Sequence, residues 1–377
     1  MKKSIRLLVL AASAVAVSRA APFMAVGDGA ELFATGTLGI RGDDNILLAS
    51  DANGKTSDTI LDVDPGLELD FGKNSQLQGA LTLQDALTYY TSHHKYNTNL
   101  FQGDIVAKYD DGKLKLGFNG GYHELNQNTV DVRGLVRRDI MTLGANAEVT
   151  VSEITAVGAG LLYTHENYHP VNYVDSDTTQ IPLNFYYKYT PKIDLSLGYT
   201  YRDYSAKNGL ALDSTDHFFN IGARGEFGPK LTGKFAIGYT RRNFSGGGGS
   251  RGLLGIDSSF AYELTPKSTL QAGISNDFGT SPTGQQQKNL TINVLGTTKI
   301  TEEFSVNAGI SYRAISYDYA TVDGRTDDYW EGTIGAAYVV SANLRLVGSY
   351  VYRNYSTNLP GSDFTNNVLS FAANIRY

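Results

Sequence analysis

Residues 181–205 read IPLNFYYKYTPKIDLSLGYTYRDYS, and most of the chain repeats the pattern of this stretch. Apolar and aromatic side chains alternate with smaller or more polar ones from Leu183 to Tyr189, and the alternation resumes at Leu195 after a break at residues 190–192. A period of two with a short break that contains proline predicts a β-hairpin. Because a soluble β-sandwich uses the same pattern, the fold class depends on how often the hairpin recurs and on the two ends of the chain.

The breaks between the predicted strands alternate in length along the chain. Eight are short, at residues 72–74, 110–112, 151–153, 191–192, 228–230, 265–267, 301–303 and 341–343. Nine are longer, at residues 42–57, 91–98, 124–135, 167–177, 206–214, 245–250, 279–285, 318–326 and 357–363. About eighteen segments of roughly 10–14 residues lie between them, the length of a tilted strand that crosses a bilayer. Alternating short turns and long loops are typical of outer-membrane barrels.

One face of each predicted strand is apolar, as in Leu67, Leu69 and Phe71, and the other face carries the charges. Charges are costly against lipid but suit a water-filled lumen. The side chains predicted to line the lumen are Glu68, Asp70, Asp104, Lys113, Lys115, Lys188, Arg202, Arg224, Glu226, Lys234, Arg242, Asp257, Arg313, Glu331, Arg345 and Arg353. A sheet in lipid must close to pair every backbone group. We therefore predict an all-β fold, a transmembrane antiparallel up-and-down β-barrel of about 18 strands and a diameter on the order of 35 Å.

The N-terminus has the three parts of a secretory signal peptide. A basic segment is followed by an apolar stretch from Leu7 to Val17 and by the small-x-small site Ser18-Arg19-Ala20. We expect cleavage after Ala20, so that residues 1–20 are the signal and residues 21–377 form one barrel domain in the outer membrane of a Gram-negative bacterium. Cleavage lowers the basic side chains from 32 to 28 against 38 acidic ones, a net charge of −10. Such an acidic protein is a poor nucleic-acid binder.

The C-terminal segment NNVLSFAANIRY reads as a closing strand. Leu369, Phe371, Ile375 and the terminal Tyr377 lie on its apolar face. These four residues are predicted to be the assembly signal read by the barrel-assembly machinery, and lipid and lipopolysaccharide of the outer membrane are the expected surroundings. An ordinary amphipathic edge strand is the alternative, although it would promote aggregation in a soluble protein.

Similar strings recur where several strands reach the longer loops, as in Tyr199-Thr-Tyr-Arg202-Asp-Tyr204. The aromatic positions are expected to form the outer aromatic girdle at the lipid headgroups. Arg202, Arg242, Arg313 and Arg353 fall at one level on the lumen face. Two interpretations stay open: the arginines form a ring that favours anions, or each is paired with a carboxylate of a neighbouring strand and stiffens the wall.

Sequence motifs give no sign of catalysis. The six histidines lie mostly at predicted loop ends, no HExxH, GxSxG or phosphate-loop motif occurs, and the chain has no cysteine. We therefore predict a protein that is not an enzyme and that uses neither a cofactor nor a metal ion.

Residues 42–46 (GDDNI), 57–60 (SDTI) and 64–69 (DPGLEL), with the repeated Tyr-x-x-Arg-x-Phe/Tyr strings, carry a family resemblance. They resemble the β-barrel porins that are often encoded beside exopolysaccharide synthesis and export systems. The resemblance implies an outer-membrane pore for small polar solutes or polysaccharide, with exopolysaccharide and its export proteins as partners.

Three alternatives concern the lumen and the loops. An infolded loop is the expected means of narrowing so wide a barrel, and residues 42–57 form the longest candidate. A surface receptor or adhesin would use long external loops to bind a partner, whereas most loops here have roughly ten residues or fewer. An outer-membrane enzyme would need a catalytic constellation that the sequence does not mark.

Overall fold

The structure, a computed structural model, describes residues 22–26, 29–318 and 324–377. The predicted signal peptide lies outside the described residues. The strands are β1 (Met24–Val26), β2 (Ala30–Asp43), β3 (Asp58–Phe71), β4 (Leu77–Tyr90), β5 (Thr98–Asp110), β6 (Leu114–Asn128), β7 (Leu135–Ser152), β8 (Thr155–Tyr168), β9 (Ser176–Thr190), β10 (Ile193–Ala206), β11 (Ser214–Gly228), β12 (Leu231–Phe244), β13 (Ser250–Thr265), β14 (Ser268–Thr280), β15 (Gln286–Lys299), β16 (Phe304–Asp318), β17 (Thr326–Val339), β18 (Leu344–Thr357) and β19 (Phe364–Arg376). Short 3-10 helices occur at Asp51–Asn53 and His94–Tyr96.

Strands β2 to β19 form a closed ring in which each strand is antiparallel to the next. The ring closes because β19 pairs with β2, from Val368 opposite Asp43 to Arg376 opposite Thr35. Beyond that register, Tyr377 and Ala34 exchange two backbone hydrogen bonds of 2.7 and 2.8 Å. The predicted barrel of about 18 strands is therefore confirmed. Strand β1 is an addition, because it pairs with the start of β2 next to the closing seam.

The two faces of the wall follow the period of two. Outward positions carry exposed apolar side chains, such as Leu197, Phe219 and Ile334, which are 60–64% exposed. Inward positions carry the polar and charged side chains, as the ion pairs below show. None of the described helices is long and apolar enough to cross a membrane.

Eight short turns and nine longer loops alternate along the described strands, as the sequence predicts. The strands of the ring have 13–18 residues and are longer than expected, because pairing continues past the predicted loop starts. The clearest example is β6, which runs to Asn128 where a loop from residue 124 was expected. By the convention for such barrels, we call the side of the nine longer loops external and the side of the turns periplasmic.

Because β19 pairs with β18 on one side and with β2 on the other, we predict that removing residues 369–377 abolishes heat-modifiable migration and membrane insertion. The cut would leave β2 and β18 with unpaired backbone groups in lipid. Gel migration with and without heating, after refolding into detergent, measures this. Removing residues 22–26 is the matched control, since β1 lies outside the ring and its loss leaves closure intact. Insertion of the chain cut before Leu369 would contradict the prediction.

Candidate functional site: the loop-crossed external mouth

Loop 3, residues 129–134 between β6 and β7, reaches across the lumen. The Asp131 carboxylate contacts the Arg313 guanidinium on β16, with Oδ2 3.2 Å from Nη1. In the ring of eighteen strands, β16 stands nine places from β7 and therefore on the opposite wall. Gln287 of β15 donates a hydrogen bond of 3.0 Å to the same carboxylate. A loop of six residues thus connects two opposite sides of the barrel.

The backbone of loop 3 is folded tightly to make this reach. The Arg133 amide donates to the carbonyl of Thr129 at 2.7 Å, and Arg133 has a φ of 51°, in the left-handed region that non-glycine residues seldom adopt. The Arg133 guanidinium then donates to the carbonyl of Ser362 in loop 9, residues 358–363, at 3.0 Å. These contacts hold the loop over the opening.

A hydrophobic cluster of five buried side chains fills part of the mouth, and we call it the mouth cluster. Its members come from two loops and three strands and are Leu48, Val130, Tyr329, Tyr355 and Phe364. The rings of Tyr355 and Phe364 stack with centroids 5.0 Å apart. Burial of such side chains contributes roughly 1.5–3 kcal/mol each, which is enough to hold a short loop inward.

Loop 1, residues 44–57, also folds inward, as the sequence suggested for residues 42–57. Ile46 is buried against Ile60 and Tyr90. The Asn45 amide donates to the carbonyls of Ala49 and Thr365, at 2.9 and 3.2 Å. Loop 1 is therefore fixed both to itself and to β19.

The Asp44 carboxylate provides a further anchor for loop 1. It accepts hydrogen bonds from the side chain and backbone amide of Asn367, both 2.7 Å long. Partial burial alone would raise the pKa of Asp44, but these hydrogen bonds and the nearby Lys55 ammonium outweigh it and hold the pKa below its usual value. The carboxylate therefore stays ionised and continues to anchor the loop at neutral pH.

Two of the four predicted mouth arginines form a buried cluster with carboxylates. Arg202 Nε donates to Asp216 at 2.7 Å, and Arg202 Nη1 lies 2.6 Å from Asp277 on β14. Arg242 Nε also donates to Asp216 at 2.7 Å, and its Nη1 donates to Gln286 at 2.8 Å. Both arginine side chains are less than 10% exposed. The contacts of these two arginines connect the inner face of the wall from β10 to β15.

The other two arginines are paired as well. Arg313 contacts Asp131, and Arg353 Nε lies 2.9 Å from Glu331 on the next strand. Of the two interpretations of these arginines, the geometry agrees with pairing to carboxylates. In the strand register Asp216 stands directly opposite Arg202 and Arg242, and Glu331 stands opposite Arg353.

The aromatic strings need a correction too. Tyr239 and Tyr350 face outward and are 56% and 40% exposed, and Tyr199 packs on the outward Phe219, as expected for a girdle. The last aromatic of each string is five positions later and therefore on the opposite face. Tyr168 and Tyr355 accordingly point inward and are buried beside arginines. The second half of each string stiffens the mouth instead of contacting lipid.

Most of the other predicted lumen residues occupy inward positions in ion pairs nearer the periplasmic side. Arg224 pairs with Glu148 and Asp194, Arg376 with Glu68 and Asp70, and Lys234 with Asp257. The remaining inward residues are Asp104 (against His123), Glu226 (against Lys192), Lys115, Lys188 and Arg345. Lys113 is the exception, because it lies in the turn between β5 and β6 and so at the periplasmic rim.

Sequence reasoning missed three carboxylates that bind the mouth arginines. Asp131, Asp216 and Asp277 were not selected, because a strand pattern does not reveal which loop folds inward or which distant strand bends toward it. An apolar Val130 at the tip of a polar loop was the available signal. Within the described residues, no group of three or more histidine, aspartate or glutamate side chains is placed to hold a metal ion.

We predict that Asp131→Ala raises the single-channel conductance, because it removes the ionic contact that holds loop 3 against β16. Conductance in planar bilayers measures this. Asp318→Ala is the control: Asp318 pairs with Lys288 at 2.9 Å, and the two alternate with the inward Tyr317 and Gln287 along their strands. The pair therefore lies on the other face of the wall, and its loss should leave conductance unchanged. An equal effect of both variants, or none for Asp131→Ala, would argue against the crossing.

We predict that Arg242→Gln destabilises the barrel by about 3–5 kcal/mol, since it removes one partner from a buried ion-pair cluster. The unfolding midpoint in urea, followed by gel migration, reports this. Arg241→Gln is the matched control, because Arg241 is exposed and hydrogen-bonded to Asn243, and its loss should change stability by about 0.5 kcal/mol or less. Equal midpoints for the two variants would contradict the prediction.

Comparisons with known proteins agree with this architecture. Among solved structures, the chain is similar to OccAB4 of Acinetobacter baumannii, with 11% identity and a TM-score of 0.51 over 93% of this chain and 99% of that one. It is also similar to Pseudomonas aeruginosa OpdK, solved with vanillate, with 11% identity and a TM-score of 0.49 over 92% and 99% of the two chains. At such identities the likeness concerns the fold alone. No curated protein matches the sequence.

The match to a family model is more direct, because it covers residues 37–377 and therefore nearly all of the described barrel. Porins are channels of the outer membrane and not enzymes, in agreement with the missing catalytic motifs. The chain belongs to the family described as "Putative beta-barrel porin 2".

Proposed function

We propose that this porin is a passive channel for small polar solutes, narrowed at its external mouth by loops 1, 3 and 9. The observation that carries the proposal is the contact of Asp131 with Arg313 on the opposite wall. A barrel of eighteen strands is wide enough for an aqueous lumen. Loop 3 and the mouth cluster divide the opening of that lumen into narrower passages, which suit compact solutes.

The same contacts argue against polysaccharide as the transported solute. A sugar polymer in export needs one continuous, wide passage along the axis. The mouth cluster and the link from Arg133 to loop 9 occupy part of the external opening. Exopolysaccharide and its export proteins, which the family resemblance suggested as partners, are therefore the less favoured proposal.

A receptor or adhesin role is also less favoured. Its binding surface would consist of loops that project from the barrel. Here loops 1 and 3 are held in the mouth by buried side chains, and the exposed part of these two loops is mainly residues 51–55.

The surroundings of the barrel form part of the proposal. The exposed apolar outer face suits lipid, with lipopolysaccharide as the expected neighbour in the outer leaflet. We propose that the barrel-assembly machinery reads Leu369, Phe371, Ile375 and Tyr377. Leu369, Phe371 and Ile375 lie on the outer face of β19, and Tyr377 follows it. Export through a signal cleaved after residue 20 completes the proposed route.

Liposome swelling tests the transport proposal. Proteoliposomes should swell in isotonic arabinose and should stay unswollen in a dextran too large for the narrowed mouth. Liposomes with heat-unfolded protein are the control. Swelling in no solute would end the channel proposal in favour of a receptor, and swelling in dextran would restore the polysaccharide alternative.

A further inference from the structure

The middle of the lumen wall from β10 to β12 is uncharged. On β10 the inward residues between Asp194 and Arg202 are Ser196, Gly198 and Thr200. On β12 the inward positions between Lys234 and Arg242 likewise carry Ala236, Gly238 and Thr240. A solute that has passed the mouth therefore meets a neutral stretch before it reaches the ion pairs of the periplasmic side.

Two asparagine side chains converge in this neutral stretch. Asn184 of β9 and Asn220 of β11 stand opposite Gly198 from either side in the strand register. A Cβ atom placed on Gly198 would lie 2.5 Å from Oδ1 of Asn220 and 2.8 Å from Oδ1 of Asn184. Both amides therefore lie over the bare backbone of Gly198, in space that any larger residue would take.

These amides have unused hydrogen-bonding capacity. Within the part of the chain that the structure describes, no side-chain hydrogen bond engages Asn184 or Asn220. Asn220 is only 8% exposed. Among the described residues, neither amide belongs to the fully enclosed polar atoms that lack a partner, so both are open to the solvent of the lumen and to a solute there. The charged side chains nearby, Arg202, Arg224 and Arg242, are already paired with carboxylates.

We propose that Asn184 and Asn220, over Gly198, form a subsite for uncharged solutes with several hydroxyl groups, such as small sugars. An amide offers a donor and an acceptor together, as a hydroxyl does, and adds no charge. Phe218, the next inward residue on β11, is half-buried, and its ring lies over Gly255 of β13, so an apolar surface continues the wall on the other side of Asn220. Sugars have apolar C–H faces as well as hydroxyl edges, so they match this combination. The inference rests on the proposed function of a channel for small polar solutes.

Current block in planar bilayers tests the subsite. The probe is raffinose, a neutral trisaccharide, compared with a polyethylene glycol of the same hydrodynamic radius. Both obstruct ions by volume, but raffinose alone presents clustered hydroxyl donors to the amides. We expect raffinose to reduce the wild-type current more strongly than the polymer at equal concentration.

The variant Asn184→Leu with Asn220→Leu keeps the branched shape of both side chains and removes the amides. The raffinose concentration for half block should rise at least about fivefold, as expected for the loss of two hydrogen bonds, while block by the polymer stays the same. Asn374→Leu is the matched control, because Asn374 faces inward but already accepts a hydrogen bond from Thr37 at 3.1 Å. It should leave the raffinose block unchanged.

A second variant covers the case in which the double variant does not insert. Gly198→Ala places a methyl group where both amide oxygens lie and should weaken the raffinose block in the same way. Equal block by raffinose and polymer in an open wild-type channel, or block unchanged in the variants, would overturn the subsite and leave the channel intact. A wild-type protein without conductance would instead overturn the proposed function.

Discussion

The structure depends on one constraint, that every backbone N–H and C=O in the lipid needs a partner. Pairing of β19 with β2 satisfies it by closing the sheet, and closure with eighteen strands sets a diameter that side chains alone do not fill. A wide lumen then needs something else to control passage. Loops 1 and 3 supply it, because their apolar side chains are buried inside the mouth, and Arg133 links loop 9 to loop 3.

Charge compensation inside the barrel follows from the same closure. Inward positions are polar, and closing the ring brings side chains from opposite walls within reach of one loop. Asp131 and Arg313 meet in this way although 182 residues separate them. Asp277 meets Arg202 across four strands because the external end of β14 pairs with β15 alone and extends toward the lumen. The charged side chains of the mouth therefore neutralise one another. The middle of the wall beside the mouth carries asparagine amides instead of charges.

The pattern of the strands predicted the barrel, since the alternation of apolar and polar side chains, the loop lengths and an even strand count all follow from local sequence. It placed Lys115, Arg224 and Arg353 on the inner face for the same reason. It did not predict which partners they find, because a pairing such as Arg224 with Glu148 depends on the tilt of strands that are not adjacent. The inward turn of Tyr355 was missed, although the five-residue spacing from Tyr350 alone places the two on opposite faces. The crossing of the lumen by loop 3 depends on the tertiary packing of Val130, which the period of two along the strands does not reveal.

The central claim is that loop 3 is held across the lumen against the far side of the barrel. Because the chain has no cysteine, a single engineered pair can test it without background. Val130→Cys and Phe364→Cys place thiols on two members of the mouth cluster, one on loop 3 and one on β19. A short bismaleimide should join them in the folded, membrane-inserted protein. The cross-link should reduce the difference in gel mobility between heated and unheated protein. Efficient labelling of both thiols by a monofunctional maleimide, with no cross-link between them, would contradict the account.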